Sequence, residues 1–135
     1  MSQEIFVENM KLPIGSRVNI LGRIQPNAKL FRINLGKDEL DIGLHFNPRF
    51  KPHYPDNVIV CNNAKRGIWC QEVREKNSYF APGDTVSISI FFDGKEFLIN
   101  MPNNHQMTFP NRLDLEEIDF MAIYGDLDLK KVDFE

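Results

Sequence analysis

Cysteine is scarce in this chain: Cys61 and Cys70 are the only two, nine positions apart, with no Cys-X-X-Cys set. They imply no disulfide framework and read as reduced thiols of a cytosolic protein. Long apolar runs are missing as well. The stretches reach only a few residues, as in Ile88 to Phe92 with Ser89 between, against the roughly 20 that a membrane-crossing helix requires. No membrane insertion is expected. The first residues carry neither a basic n-region nor an apolar h-region, and no Asn-X-Ser/Thr acceptor occurs, so nothing points to the secretory pathway. Charge of one sign is nowhere concentrated. Sixteen Lys and Arg against nineteen Asp and Glu leave a net −3, which argues against nucleic-acid backbone binding.

What is present fits one ordinary domain spanning residues 1–135, a length that buries roughly 65 to 70% of the unfolded surface. Hydrophobic residues are 42% and charged residues 26%, close to globular averages. There are eleven phenylalanines, and Ile, Val and Phe recur at every second position while no helical stripe is sustained, so the chain reads as all-β. The clearest strand is Thr85 to Phe92, with Val86, Ile88, Ile90 and Phe92 on one face. Asp93-Gly94 then predicts a tight primed hairpin turn onto Glu96 to Met101. Similar runs cover Ser16 to Ile24, Phe31 to Leu35, Asp41 to Phe50, Asn57 to Asn62, Phe120 to Tyr124 and Leu127 to Phe134. About a dozen strands are too many for one open sheet, so two packed antiparallel sheets are expected. Leu113 to Ile118 is expected to form one helical turn capped by Asp114.

The informative segment is Leu44-His-Phe-Asn-Pro-Arg-Phe50. As a strand it turns Leu44, Phe46, Pro48 and Phe50 inward and stands His45, Asn47 and Arg49 about 7 Å apart on the other face. Imidazole, carboxamide and guanidinium supply the donors and acceptors that vicinal hydroxyls need, so the row suits a sugar edge. Asn57-Val-Ile-Val-Cys-Asn62 is apolar at consecutive positions, hence covered on both faces, and Asn62 ends it with an amide. Trp69, the one tryptophan, follows a turn-rich stretch and precedes Glu72 and Arg74. Its odd spacing from Glu72 requires a bend or bulge near Cys70 to Gln71 if all three are to share a spot. A lone tryptophan is by default a core residue, and Glu72 with Arg74 by default a surface ion pair.

Taken together, His45, Asn47 and Arg49, then Val60-Cys61-Asn62, then Trp69 with Glu72 and Arg74 resemble the carbohydrate signature of the galectins, the β-galactoside-binding lectins. Asn34-Leu35-Gly36-Lys37-Asp38 and Phe109-Pro110-Asn111-Arg112-Leu113 extend the resemblance along the chain. It implies a two-sheet antiparallel jelly-roll sandwich of the single-domain prototype type. It also implies that His45, Asn47 and Arg49 bind the axial 4-hydroxyl of galactose, that Asn62 and Glu72 take its 6-hydroxyl, and that Trp69 stacks on the ring. Arg49, Glu72 and Arg74 would reach a second sugar, with Glu72 held between the two arginines. Val60 belongs to the same set, and Asn34, His53 and Asp56 are secondary candidates. His53, Tyr54 and Asp56 lie on a loop stiffened by Pro52 and Pro55, and Leu30 lies near one rim.

The expected partners are β-galactoside glycans on glycoproteins and glycolipids, together with a second copy of the chain paired through terminal strands. Apolar groups on both faces of Ile5 to Val7, and a phase slip near Lys130-Lys131 in the last strand, support that pairing. Family resemblance adds non-classical export to a cytoplasmic residence. Catalysis is not expected, because a glycosidase wants two carboxylates across a cleft and the polar stripe offers only Glu72. His45, His53 and His105 have no metal-ligand spacing, and no cofactor is expected. A second reading keeps the fold but makes the chain a protein-interaction module with weak or lost sugar binding.

Overall fold

The computed structural model describes residues 3–135; Met1 and Ser2 of the expected domain lie outside the described residues. The strands run in chain order β1 (Gln3–Val7), β2 (Leu12–Pro13), β3 (Arg17–Ile24), β4 (Phe31–Gly36), β5 (Ile42–Arg49), β6 (Val58–Lys65) and β7 (Ile68–Trp69). They continue with β8 (Val73–Lys76), β9 (Thr85–Phe92), β10 (Glu96–Asn100), β11 (Gln106–Pro110), β12 (Glu117–Ile118), β13 (Phe120–Gly125) and β14 (Leu127–Phe134). A seven-stranded sheet has the order β1-β13-β4-β5-β6-β7, with β8 also on β6, and a five-stranded sheet the order β11-β10-β9-β3-β14. Neighbours pair antiparallel throughout, and the chain crosses between the two sheets from β3 to β4, from β8 to β9 and from β13 to β14, giving the jelly-roll sandwich.

Strict alternation builds the interior. From the five-stranded sheet Val18, Ile20, Ile88, Ile90, Phe92, Phe97 and Ile99 point inward; from the seven-stranded sheet Phe31, Ile33, Leu35, Leu44, Phe46, Ile59 and Cys61 meet them, all buried. Edge-to-face contacts of Phe80 with Phe31 and Phe46 close one end of this core. Because the inner positions of the seven-stranded sheet are taken by hydrocarbon, its polar residues must stand on the outer face. No helix among the described residues is long and apolar enough to cross a membrane.

Two local expectations change. Leu113 to Ile118 forms no helical turn: Asp114 is left-handed with φ 52°, and Asn111 closes the loop instead. The Asn111 side chain accepts from the Leu115 N–H at 3.0 Å and donates to the carbonyls of Leu115 at 3.0 Å and Gly94 at 2.9 Å. The helical piece that does form is a 3-10 turn at Pro102–Asn104. The Asp93-Gly94 hairpin is also longer than a two-residue turn, since Phe92 pairs with Phe97. Asp93 acts through its carboxylate, which accepts from the N–H groups of Lys95 and Glu96 at 2.8 Å, while Gly94 alone of the pair takes positive φ, 92°. The slip in the last strand is present as a register shift between Leu129 and Lys131.

Candidate ligand-binding groove

The polar row stands where alternation puts it. Leu44, Phe46 and Phe50 are in the core, so His45, Asn47 and Arg49 occupy the opposite face of β5. Register carries the row sideways: Asn34 on β4 faces His45, Asn62 on β6 faces His45 from the other side, Val60 faces Asn47, and Arg74 on β8 faces Val60. Val60 thus forms an apolar floor between polar groups. Asn47 is only 1% exposed and is held at both ends of its amide, donating to the Phe31 carbonyl and accepting from Arg49 Nε, both at 2.9 Å, with a second N–H left to donate. It orients the guanidinium, whose Cζ lies 5.1 Å from the centre of the Tyr54 ring.

His45 is the electronic centre. Its Nδ1 lies 2.6 Å from the Asn34 amide oxygen, an atom that only accepts, so Nδ1 carries the proton and Nε2 is left as an acceptor. Burial lowers its pKa from 6.5 to about 4, with the charges of Arg32 and Arg49 adding to the effect and Glu72 opposing it. The ring is therefore neutral at physiological pH. Between about pH 6.5 and 4 the unfolded chain takes up the proton that the folded site refuses, so acidification through that window costs stability. Asn34 in turn donates to the Tyr124 hydroxyl at 3.4 Å, which makes it the support of His45 as well as a wall residue.

The expected bend is real. Strand β7 ends at Trp69 and β8 begins at Val73, with residues 70–72 outside both. Trp69 is no core residue: it is 49% exposed, and its ring centre lies 4.5 Å from that of His45 at a 50° tilt. Asn62 ties down the bend by donating to the Cys70 carbonyl at 3.1 Å. Arg112 clamps it from the far side, donating to the Gln71 carbonyl at 2.6 Å and to Asn63 Oδ1 at 3.0 Å, with its guanidinium over Phe109. Glu72 leaves the bend to accept from Arg74 Nε at 2.6 Å. The expectation that Glu72 is held between two arginines is corrected here, because Arg49 spends its Nε on Asn47 and packs on Tyr54 instead.

These groups enclose an open groove of about 410 Å³. Its lining includes seven of the eight expected residues, Arg74 standing just outside through Glu72, and adds Arg32, Cys70 and Tyr124. Arg32 was findable, since it shares the parity of Asn34 along β4, whereas Tyr124 stands opposite Arg32 only through the pairing of β13 with β4. Arg112 was not, since its role depends on where the bend falls. His53 and Asp56 are exposed on the loop beyond β5 and do not line the groove; of that loop, Tyr54 makes the contact with Arg49. Leu30 bridges to Arg49 at the rim. His105 is remote, stacked on Tyr79 and paired with Glu75. Both cysteines are free.

Residues 4–134 match the galactoside-binding lectin family. The chain belongs to that family. Among curated galactoside-binding lectins it is 41% identical to galectin-1 of Mus musculus over 135 residues, covering 100% of both chains. Solved galectins carry the same fold. CG-16, a homodimeric agglutinin from chicken liver, superposes with a TM-score of 0.93 at 38% identity, covering 98% of this lectin and 100% of its own chain. Toad ovary galectin, solved in complex with thio-digalactose, gives 0.91 at 34% identity and covers 98% of each chain.

Proposed function

We propose that this lectin binds β-galactosides of the lactose and N-acetyllactosamine type, on glycoproteins and glycolipids, and that residues 1–135 form one carbohydrate-recognition domain acting as a homodimer. Binding takes place in the cytoplasm or, after non-classical export, outside the cell. The observation that carries the reading is the fixed protonation of His45. With Nδ1–H spent on Asn34, Nε2 accepts the proton of an axial 4-hydroxyl, while Asn47 and Arg49 donate to its oxygen. Asn62 and Glu72 take the 6-hydroxyl, Val60 floors the ring, and Trp69 covers the face that an axial hydroxyl leaves as a patch of C–H groups. Arg49, Glu72 and Arg74 receive the second sugar. An equatorial 4-hydroxyl leaves this buried row unpaired, which penalises glucose-terminated sugars. The gathering of seven of the eight groups in one groove, with Arg74 held beside it through Glu72, favours sugar over a purely protein-binding role.

Lactose titration followed by Trp69 fluorescence tests the proposal. About 23 non-hydrogen atoms at roughly 0.3 kcal/mol each set a ceiling near 7 kcal/mol; an open groove falls short of it, at a Kd on the order of 0.1 to 1 mM. Maltose should not compete, and silence at tens of millimolar lactose defeats the reading. Affinity should stay level from pH 8 to about 5, then weaken about tenfold per pH unit below His45's pKa of about 4. A midpoint near 6.5 would mean that His45 is not the acceptor.

The clamp on the bend gives a second measurement. Arg112 touches the groove only through residues 63 and 71, so Arg112→Ala should leave the fold intact and weaken lactose about fivefold, the worth of about one net hydrogen bond. Calorimetry beside a melting curve checks this. An unchanged Kd would show that the bend holds itself.

A further inference from the structure

Strand β8 carries Arg74, and Glu72 leads into it. Its only strand partner among the described residues is β6, from Val58 opposite Lys76 to Cys61 opposite Val73. An edge strand of four residues with one partner frays unless something else fixes it. Register shows what does. Val60, opposite Arg74, lines the groove, whereas Ile59, opposite Glu75, is in the core. Glu75 therefore turns away from the groove and toward the five-stranded sheet. Its charge is felt there: burial, with Glu75 adding to it, pushes the Cys61 thiol up to about 12. On that side Glu75 Oε1 meets His105 Nε2 at 2.9 Å, a contact in which the imidazole N–H donates and the carboxylate accepts.

His105 is itself held. It follows the 3-10 turn between β10 and β11, with its N–H on the Pro102 carbonyl at 3.4 Å and its carbonyl accepting from the Met101 N–H at 2.8 Å. Its ring lies flat on that of Tyr79, centres 3.8 Å apart at 8°. Tyr79 belongs to the segment that leads from β8 toward β9, and the buried Asn77 pins that segment. The Asn77 N–H donates to the Asn57 carbonyl at 3.0 Å, and its side-chain oxygen accepts from the N–H groups of Tyr79 at 3.4 Å and Phe80 at 3.1 Å. One imidazole, on a loop of the five-stranded sheet, is thus gripped by β8 through its edge and by the segment after β8 through its face.

The groups proposed for galactose come mostly from other strands: His45, Asn47 and Arg49 from β5, Asn62 from β6 and Trp69 from β7. Arg74 alone stands on β8, with Glu72 joined to it at 2.6 Å. Fixing β8 matters to the second sugar and little to the first. We infer that His105 and Glu75 clasp the edge of the sandwich where β8 and β11 lie, and so position Arg74 for the sugar linked to galactose. Neither residue lines the groove; both act through β8. The inference rests on the reading that Arg74 receives the second sugar, and it adds what holds Arg74 there.

The test titrates lactose and methyl β-galactoside, which lacks the second sugar, onto the full chain by Trp69 fluorescence and reads the ratio of the two affinities. His105→Phe keeps a flat ring on Tyr79 and removes the donor. The ratio should fall about threefold, the scale of one hydrogen bond, with methyl β-galactoside staying within about 1.5-fold of the parent. His105→Gln sets an amide N–H near the place of the Nε2–H and should restore most of the ratio. On an Arg74→Ala background His105→Phe should change the ratio no further, because both changes act through one group. Both sugars weakened alike, or an unchanged ratio with only a lower melting temperature, would show a structural role and overturn the inference. So would a ratio no better in His105→Gln than in His105→Phe, or a loss that adds in full to that of Arg74→Ala. If Arg74→Ala alone leaves the ratio at the parent's value, the second-sugar reading falls and the clasp's role with it. Silence of the parent toward both sugars would instead strike the galactoside reading.

Discussion

Arg49→Ala is expected to abolish measurable lactose binding while the protein stays folded. The guanidinium is held by Asn47 Oδ1 at 2.9 Å and by the Tyr54 ring, so its remaining donors face the groove already oriented. Removing them should delete the charge-assisted hydrogen bonds proposed to the 4-hydroxyl and to the second sugar. The truncation also strands the oxygen of Asn47, a residue 1% exposed, whose desolvation is then uncompensated. Together these cost about 2 to 4 kcal/mol, roughly 30- to 1000-fold, which moves a Kd of about 0.1 to 1 mM to about 3 mM or weaker, beyond the range that calorimetry follows. The group left stranded is Asn47 and not Glu72, since Glu72 keeps its partner in Arg74. Arg49→Lys should rescue little, because a single ammonium nitrogen lacks the planar fork that presents one edge to Asn47 and the other to the sugar. Calorimetry is the measurement, with β-type circular dichroism as the folding control. A Kd within threefold of the parent, or a collapse of the fold, would return Arg49 to a structural role. Trp69→Ala should lose nearly as much through stacking.

The parts of this site that were legible in the sequence are those fixed by strand parity. Thr85 to Phe92 and Leu127 to Phe134 begin and end where alternation put them, and the same rule set His45, Asn47 and Arg49 on the outer face. Parity also demanded the break between Trp69 and Glu72. It could not say which way the segment leaves the sheet, and that direction decides that Glu72 meets Arg74 and not Arg49. Register was the other hidden quantity: Tyr124 enters the groove only because β13 pairs with β4, a contact some 90 residues apart in sequence. At Leu113 to Ile118 a local helix signal lost to the Asn111 side chain, whose three hydrogen bonds satisfy the loop without a helical turn. Strands of two residues such as β2, β7 and β12 carry no pattern at all; their partners define them.

Disrupting the paired edges should cost agglutination outright. Strand β1 is the edge of the seven-stranded sheet and β14 the edge of the five-stranded sheet, so both carry unpaired backbone groups along one side. Between them Ile5, Val7, Met121, Leu129, Val132 and Phe134 line a largely apolar hollow of about 270 Å³, bordered by Lys130 and Lys131. A second copy related by a two-fold axis would cover this hollow and continue both sheets at once, each edge meeting its own counterpart. Homodimeric CG-16 carries the same fold, in keeping with that proposal. Ile5 and Phe134 are the positions to change, since Val7, Leu129 and Val132 also pack on the protein's own core. In the double variant Ile5→Asp, Phe134→Asp, each copy loses two apolar side chains worth about 1.5 kcal/mol or more apiece when buried, and gains carboxylates that face their own images. Dimer association should weaken at least about 100-fold, giving a monomer by sedimentation velocity at about 10 µM. Lactose affinity should hold within about twofold, because neither side chain lines the groove. Red-cell agglutination should nevertheless vanish, since cross-linking by a site this weak depends on two of them acting together. A variant that is monomeric yet still agglutinates, or a parent protein that is monomeric and agglutinates nothing, would sink the terminal-strand dimer and leave the sugar site standing.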